Sequence, residues 1–145
     1  MSGRCSSIAD QLEVWYAYVD LTHRYAAAVD GHDGRGIAEL FVGDGTWNGA
    51  EYGLPVVTGS EAIERYFTSS AGQPASLHLV HNHQILDSSE SDVAVASYSR
   101  VIQFRPDRVR HLIVRYDDLL SYQDGWRFRT RLLHRGPSYQ DRPKG

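Results

Sequence analysis

From Ile8 to Val29, apolar residues recur near the 3.6-residue period of a helix: Ile8, Leu12, Trp15, Tyr16, Val19, Tyr25 and Val29. This spacing predicts one long amphipathic helix. Gly31 is a natural stop, and Asp33 is placed to cap a short second helix covering Ile37, Leu40 and Phe41. Gly43-Asp44-Gly45 reads as a turn, followed by two short strands, Thr46-Trp47-Asn48 and Leu54-Pro55-Val56-Val57, around a bend at Gly53. Pro55 argues for an edge position in the second strand, because proline has no N–H to give to a ladder. Gly59-Ser60 opens a third helix that would bury Ala62, Ile63, Tyr66 and Phe67, and the Ser/Gly/Pro stretch from Ser69 to Pro74 ends it.

The period then changes. Residues 76–87, 92–105, 109–122 and 126–135 each suit a strand, and the breaks between them are short. Short connections require antiparallel neighbours, so the second half is expected to be a meander of long, curved strands. Helices first and sheet last means α+β: N-terminal helices packed on a strongly curved antiparallel sheet. A single domain is expected over 1–145, with its core at about 8–135 and flexible tails at 1–7 and 136–145.

Composition narrows the function classes. With 145 residues, 41% of them hydrophobic, the chain can bury roughly two-thirds of its unfolded surface without a disulfide or metal staple. One cysteine, Cys5, rules out an intramolecular disulfide and favours a reduced, cytoplasmic setting. Neither a secretory leader nor a membrane-spanning apolar run is expected. A net charge of −3 gives no general attraction to nucleic acid or anionic lipid. Arg100, Arg105, Arg108, Arg110, Arg115, Arg127, Arg129, Arg131 and Arg135 crowd the later strands. Alternating with apolar residues, they read as a solvated or subunit-facing side of the sheet, with an anion-binding patch as the alternative.

Candidate chemistry centres on Asp30, at the end of the first helical run, and His78, in the apolar strand Ser76-Leu77-His78-Leu79-Val80. A carboxylate beside an imidazole fixes its tautomer and raises its basicity, making a general base. Each residue alone also has a plain structural reading, as a helix-end carboxylate and a core histidine. A carboxylate at a helix C-terminus gains nothing from the macrodipole, so a partner is favoured. Strand alternation puts His78, Val80, Asn82 and Gln84 on one face and Leu79, His81, His83 and Ile85 on the other. Asn82 is thereby a candidate to orient a substrate oxygen, or else an amide supporting the sheet. His81 and His83 form an H-x-H pair that lacks an evident third ligand, so no metal is expected. Trp47 is a candidate pocket wall, and Tyr25, Tyr98 and Tyr116 are candidate hydroxyl donors. There is no nucleophile elbow, P-loop or dinucleotide fingerprint.

The order and spacing of several runs carry a family resemblance. They are Tyr25-Ala26-Ala27-Ala28-Val29-Asp30-Gly31-His32-Asp33, Leu40-Phe41-Val42-Gly43-Asp44-Gly45-Thr46-Trp47, Gly59-Ser60-Glu61-Ala62-Ile63, His78-Leu79-Val80-His81-Asn82-His83, Arg115-Tyr116-Asp117-Asp118-Leu119 and Asp124-Gly125-Trp126-Arg127. Over about residues 10–135 the chain resembles the SnoaL-like branch of the nuclear transport factor 2-like superfamily. The resemblance implies a cone in which a curved sheet wraps around helices and leaves a mostly apolar pocket. Scytalone dehydratase, a bile-acid dehydratase and hexachlorocyclohexane dehydrochlorinase pair an aspartate at the end of the first helix with a histidine on a following strand. Asp30 and His78 occupy the matching places, 78 − 30 = 48 positions apart, and Tyr25 resembles the tyrosine beside the aspartate of the bile-acid enzyme.

Related enzymes also add an arginine from the final strand. Arg131 is the candidate, although its alternation with Trp126, Phe128 and Thr130 would point it outward unless a bulge intervenes; His111 is an alternative second histidine. What the resemblance implies is a cofactor-independent lyase or isomerase catalysing dehydration, double-bond migration or cyclisation of a small, apolar, cyclic or polyketide-like substrate. The alternatives are water addition of the epoxide-hydrolase type, for which no second pocket aspartate is evident, and a non-catalytic binding or assembly module like a dioxygenase small subunit. The open sheet face suits a homodimer.

Overall fold

A computed structural model describes residues 7–69, 73–89 and 91–141. Helix α1 spans Ile8–Asp30, α2 Gly34–Ala38 and α3 Ser60–Ser69. The strands are β1 Phe41–Asn48, β2 Val56–Thr58, β3 Ala75–Ser88, β4 Asp92–Arg105, β5 Arg108–Tyr122 and β6 Trp126–Asp141, with a 3₁₀ turn at Ala50–Tyr52. Among the described residues no helix is long and apolar enough to cross a membrane. Cys5 lies outside them, as does most of the expected N-terminal tail.

Ser7 starts α1 with a capping box, its hydroxyl accepting from the Asp10 amide while the Asp10 carboxylate accepts from the Ser7 amide. The face that α1 buries shares only Tyr25 with the apolar residues that predict the helix. Val14, Tyr18, Leu21, Thr22, Tyr25 and Ala26 are buried, whereas Ile8, Leu12 and Tyr16 are exposed. The helix carries two apolar stripes, and the one with steps of 4, 3 and 4 from Val14 to Tyr25 meets the sheet. Asp33 caps α2, accepting from the Gly36 amide at 2.9 Å. That helix is shorter than expected, because Leu40 and Phe41 enter the sheet region and the core.

The six strands form one sheet in the order β2-β1-β6-β5-β4-β3. The long meander β3 to β6 is antiparallel as expected, but β1 pairs with β6 in parallel, so the sheet is mixed. Residues 43–45, read above as a turn, lie within β1 at a register shift against β6. The last strand also continues past Arg135, to Asp141, where a tail over 136–145 is expected from the sequence. Ile113 stands opposite both Gly136 and Pro137, between the pairs Leu112–Ser138 and Val114–Arg135. This bulge accommodates a proline that cannot donate to the ladder.

Two further bulges reset which side chains face the helices. On β3, His81 pairs with Tyr98 and Gln84 with Ala96, leaving an extra residue. Asn82 takes it up in the left-handed region at φ 56°. On β6, Phe128 pairs with Leu120 and Thr130 with Leu119, leaving Arg129 as the extra residue. Each insertion inverts the two-residue alternation beyond it.

Candidate functional site

Strand and helix meet where α1 ends. His78 Nδ1 lies 2.6 Å from Asp30 Oδ1, the His78 amide donates to Asp30 Oδ2 at 3.0 Å, and the Ser76 hydroxyl donates to Oδ1 at 3.1 Å. Burial raises the Asp30 pKa, but the bonds from the His78 ring and amide and from Ser76 outweigh it, and the carboxyl lies below its ordinary value. These donors supply what the C-terminal end of a helix cannot. The carboxylate fixes Nδ1 as the protonated nitrogen and leaves Nε2 as the basic one.

Asp30 borders a surface groove between α1 and β3, whereas His78 borders both that groove and an interior cavity of about 490 Å³. His78 therefore stands between the carboxylate and the cavity. Tyr25, Trp47, Phe67, Val101, Leu112 and Tyr116 form much of the apolar interior of that cavity. Trp47 Nε1 donates to the Tyr25 hydroxyl at 2.9 Å. Burial pushes the Tyr25 and Tyr116 hydroxyls upward in pKa, so both stay protonated over the physiological range.

Beneath these tyrosines is a network that alternation did not reveal. Arg131 is fully buried, its Nη1 donating to Asp118 Oδ2 at 3.1 Å, and Tyr18 donates to the same oxygen at 2.6 Å. The guanidinium carbon sits 3.6 Å from the Tyr116 ring centroid and 4.2 Å from that of Tyr25. Burial pushes the Asp118 carboxyl up to about 6, against the pull of Arg131 and the Tyr18 bond. The β6 bulge turns Arg131 inward, but it stacks on the cavity's tyrosines and does not itself line the cavity. Its expected direct contact with substrate is corrected to support of Tyr25 and Tyr116. The parts taken by Asp118, Tyr18 and Ser97, which also meets the Tyr18 hydroxyl at 2.8 Å, are not legible in the sequence alone. An Asp opposite the inward Arg was the available signal, hidden because the bulge was not visible.

Asn82 and Tyr98 are not in the cavity. Both border a shallow depression on the outer face with His81 and Arg100. The β3 bulge also separates the H-x-H pair: His81 faces outward, while His83 turns in to meet Thr22 Oγ1 at 2.7 Å and the Tyr18 ring edge-on. Among the described residues no group of three or more His, Cys, Asp or Glu side chains is arranged to hold a metal. His111 is on the outer side, stacked on Tyr139 and 3.0 Å from Asp141.

A SnoaL-like domain model matches residues 10–132. The chain belongs to the SnoaL-like family. No curated protein matches the sequence of this SnoaL-like chain. Among solved structures, it is similar to a Novosphingobium aromaticivorans protein provisionally designated a scytalone dehydratase, at 23% identity and TM-score 0.76, covering 89% of this chain and 88% of the other. A second protein of that organism, provisionally designated an aromatic ring hydroxylase, has 20% identity and TM-score 0.80, with 90% and 94% covered. A type 2 hexachlorocyclohexane dehydrochlorinase, LinA, has 16% identity and TM-score 0.81, with 94% and 95% covered. At these identities the shared property is the α+β cone.

Proposed function

We propose that this SnoaL-like protein is a cofactor-independent lyase or isomerase for a small, largely apolar cyclic molecule, with His78 as general base and Asp30 as its orienting partner. The observation that carries the reading is the 2.6 Å contact between Asp30 Oδ1 and His78 Nδ1 at the wall of an apolar cavity. His78 Nε2 takes a proton from carbon next to a carbonyl or opposite a leaving group. The released electron pair forms the new double bond as the leaving group departs, or it passes to the carbonyl oxygen as an enolate that is reprotonated elsewhere. Tyr25 and Tyr116, both protonated and facing the cavity, donate hydrogen bonds to the oxygen that gains charge. The similarity to a provisional scytalone dehydratase and to a dehydrochlorinase supports elimination chemistry.

Water addition of the epoxide-hydrolase type gains no support from the Asp118–Arg131 pair, since neither side chain borders the cavity. On the outer face Leu77, Leu79, Tyr98 and Phe104 remain exposed, and a second copy of the chain is the partner proposed to cover them, giving a homodimer; light scattering showing monomer at micromolar concentration would refute it.

The base is tested with 5-nitrobenzisoxazole, whose ring opening needs only a positioned base in an apolar site. The parent protein should open it faster than equimolar imidazole, and His78→Ala should lose about 10²-fold or more. Equal rates for parent and His78→Ala would sink the assignment.

A further inference from the structure

Arg110 lines the cavity at its outer end, and among the described residues it forms no salt bridge. Register places it there: Ser76 pairs with Gln103 and Gln103 with Arg110, one inward-facing row outside the row His78–Val101–Leu112. All of these line the cavity. By strand spacing, Arg110 is about 10 Å across the sheet from His78 and about 7 Å along it. Leu112 and Val114 lie deeper on the same strand, so the cavity passes from a polar mouth to an apolar interior.

Arg110 is half-buried, and among the described residues no Asp or Glu lines the cavity. A guanidinium does not deprotonate, so burial cannot be relieved by losing the charge. The amide of Gln103, next to it in the same row, has its Oε1 buried without a hydrogen-bond partner. Arg105 and Arg108 continue the positive lip on the same face, and among the described residues their one salt bridge is from Arg108 to the exposed Asp107 at 3.5 Å. Buried polar groups and charges are normally paired, and a pair left open at a cavity mouth is completed by what enters.

We infer that Arg110, with Gln103 beside it, is an oxyanion subsite that holds the carboxylate of a cyclic acid at the mouth, while the apolar ring enters toward His78. This deepens the substrate class of the site proposed above and rests on that reading for the direction in which the ring points. A guanidinium meets a carboxylate with two parallel N–H···O bonds, which fixes orientation as well as affinity. The Gln103 amide meets the carboxylate through its Nε2 hydrogens, the end that can donate to an oxyanion.

Isothermal titration of 1-naphthoate and its neutral counterpart 1-naphthamide tests the subsite without requiring turnover. The parent should bind naphthoate at least about tenfold more tightly, a difference of ~1.4 kcal/mol. Arg110→Gln should bring the ratio near one and leave naphthamide binding unchanged. His78→Ala should keep the preference for naphthoate, which separates this subsite from the base: failure of His78→Ala to slow benzisoxazole opening overturns the base alone. A parent that binds both probes equally, or neither, overturns the subsite, as does an Arg110→Gln variant that loses both probes to the same degree.

Discussion

The Tyr25 hydroxyl accepts a hydrogen bond from Trp47 Nε1 at 2.9 Å, within the wall of the cavity that His78 borders. With its oxygen occupied from the indole side, the phenol proton is left to donate elsewhere, and the proposed acceptor is the oxygen that gains charge during proton removal. Tyr25→Phe should slow benzisoxazole opening by about 10- to 100-fold, less than the loss typical of an optimised oxyanion donor. Trp47→Phe should have a smaller effect in the same direction, because it frees the Tyr25 hydroxyl to rotate. An unchanged rate in Tyr25→Phe removes this residue from the chemistry.

Asp30→Asn preserves the shape of the side chain but not its charge. The rate of proton removal should fall by about 10² to 10⁴ while the fold is retained, since the amide can hold the imidazole in the unproductive tautomer. Because the Asp30 pKa is lowered in the folded protein, its ionisation contributes stability that is present above the unfolded value and lost as pH falls through the folded one. Urea denaturation below about pH 4 should therefore show a shallower loss of stability with acid in Asp30→Asn than in the parent. An identical acid limb would contradict the role of the three hydrogen bonds.

Arg131→Met leaves Asp118 buried with, among the described residues, the Tyr18 hydroxyl as its remaining side-chain partner. Stability measured by urea denaturation should drop by about 3–5 kcal/mol, as expected when one partner of a buried ion pair is removed. Arg131→Met/Asp118→Leu should recover a large part of that loss. Failure of the double variant to improve on the single would mean that Arg131 acts mainly by stacking on Tyr25 and Tyr116.

His83 sets a second pH dependence. Burial, helped by repulsion from His23, Arg131 and His81, lowers its pKa from 6.5 to about 4. The unfolded chain then binds more protons than the folded one between those values, so stability is present above pH 6.5 and is lost as pH falls toward 4. His83→Gln should flatten this limb by up to about one proton's worth of slope. The check is denaturation at several pH values from 4 to 7 in parent and variant; parallel slopes would refute it.

Asn82 holds the left-handed position of the β3 bulge and lies outside the cavity. Asn82→Gly should leave benzisoxazole turnover within about twofold, whereas Asn82→Val should destabilise the fold by about 1–2 kcal/mol through its β-branched side chain at positive φ. A large rate loss in Asn82→Gly would restore the residue to the site.

Element identity was legible because it rests on local pattern. The meander strands were placed within one or two residues at almost every end, and α1 was recognised from its period and stop. Its buried stripe was misassigned because both Ile8–Leu12–Tyr16 and Val14–Tyr18–Leu21 satisfy helical spacing, and only the sheet decides which one it covers. Asp30 and His78 were legible as a pair through helix end, strand position and family spacing, and the fold brings them to 2.6 Å. Alternation places Asn82 beside His78 and points Arg131 outward, and alternation fails at a bulge; Tyr98 is a candidate by its hydroxyl alone.

The sequence by itself determined which segments are helix and strand, the α+β order and the residues able to form a base, since these follow from short-range periodicity and side-chain chemistry. Only the tertiary structure decided which face each strand residue presents. One extra residue at Asn82 turned His83 inward, and one at Arg129 placed Arg131 against Asp118, because a period of two inverts with a single insertion and the insertion is defined only by the strand alongside.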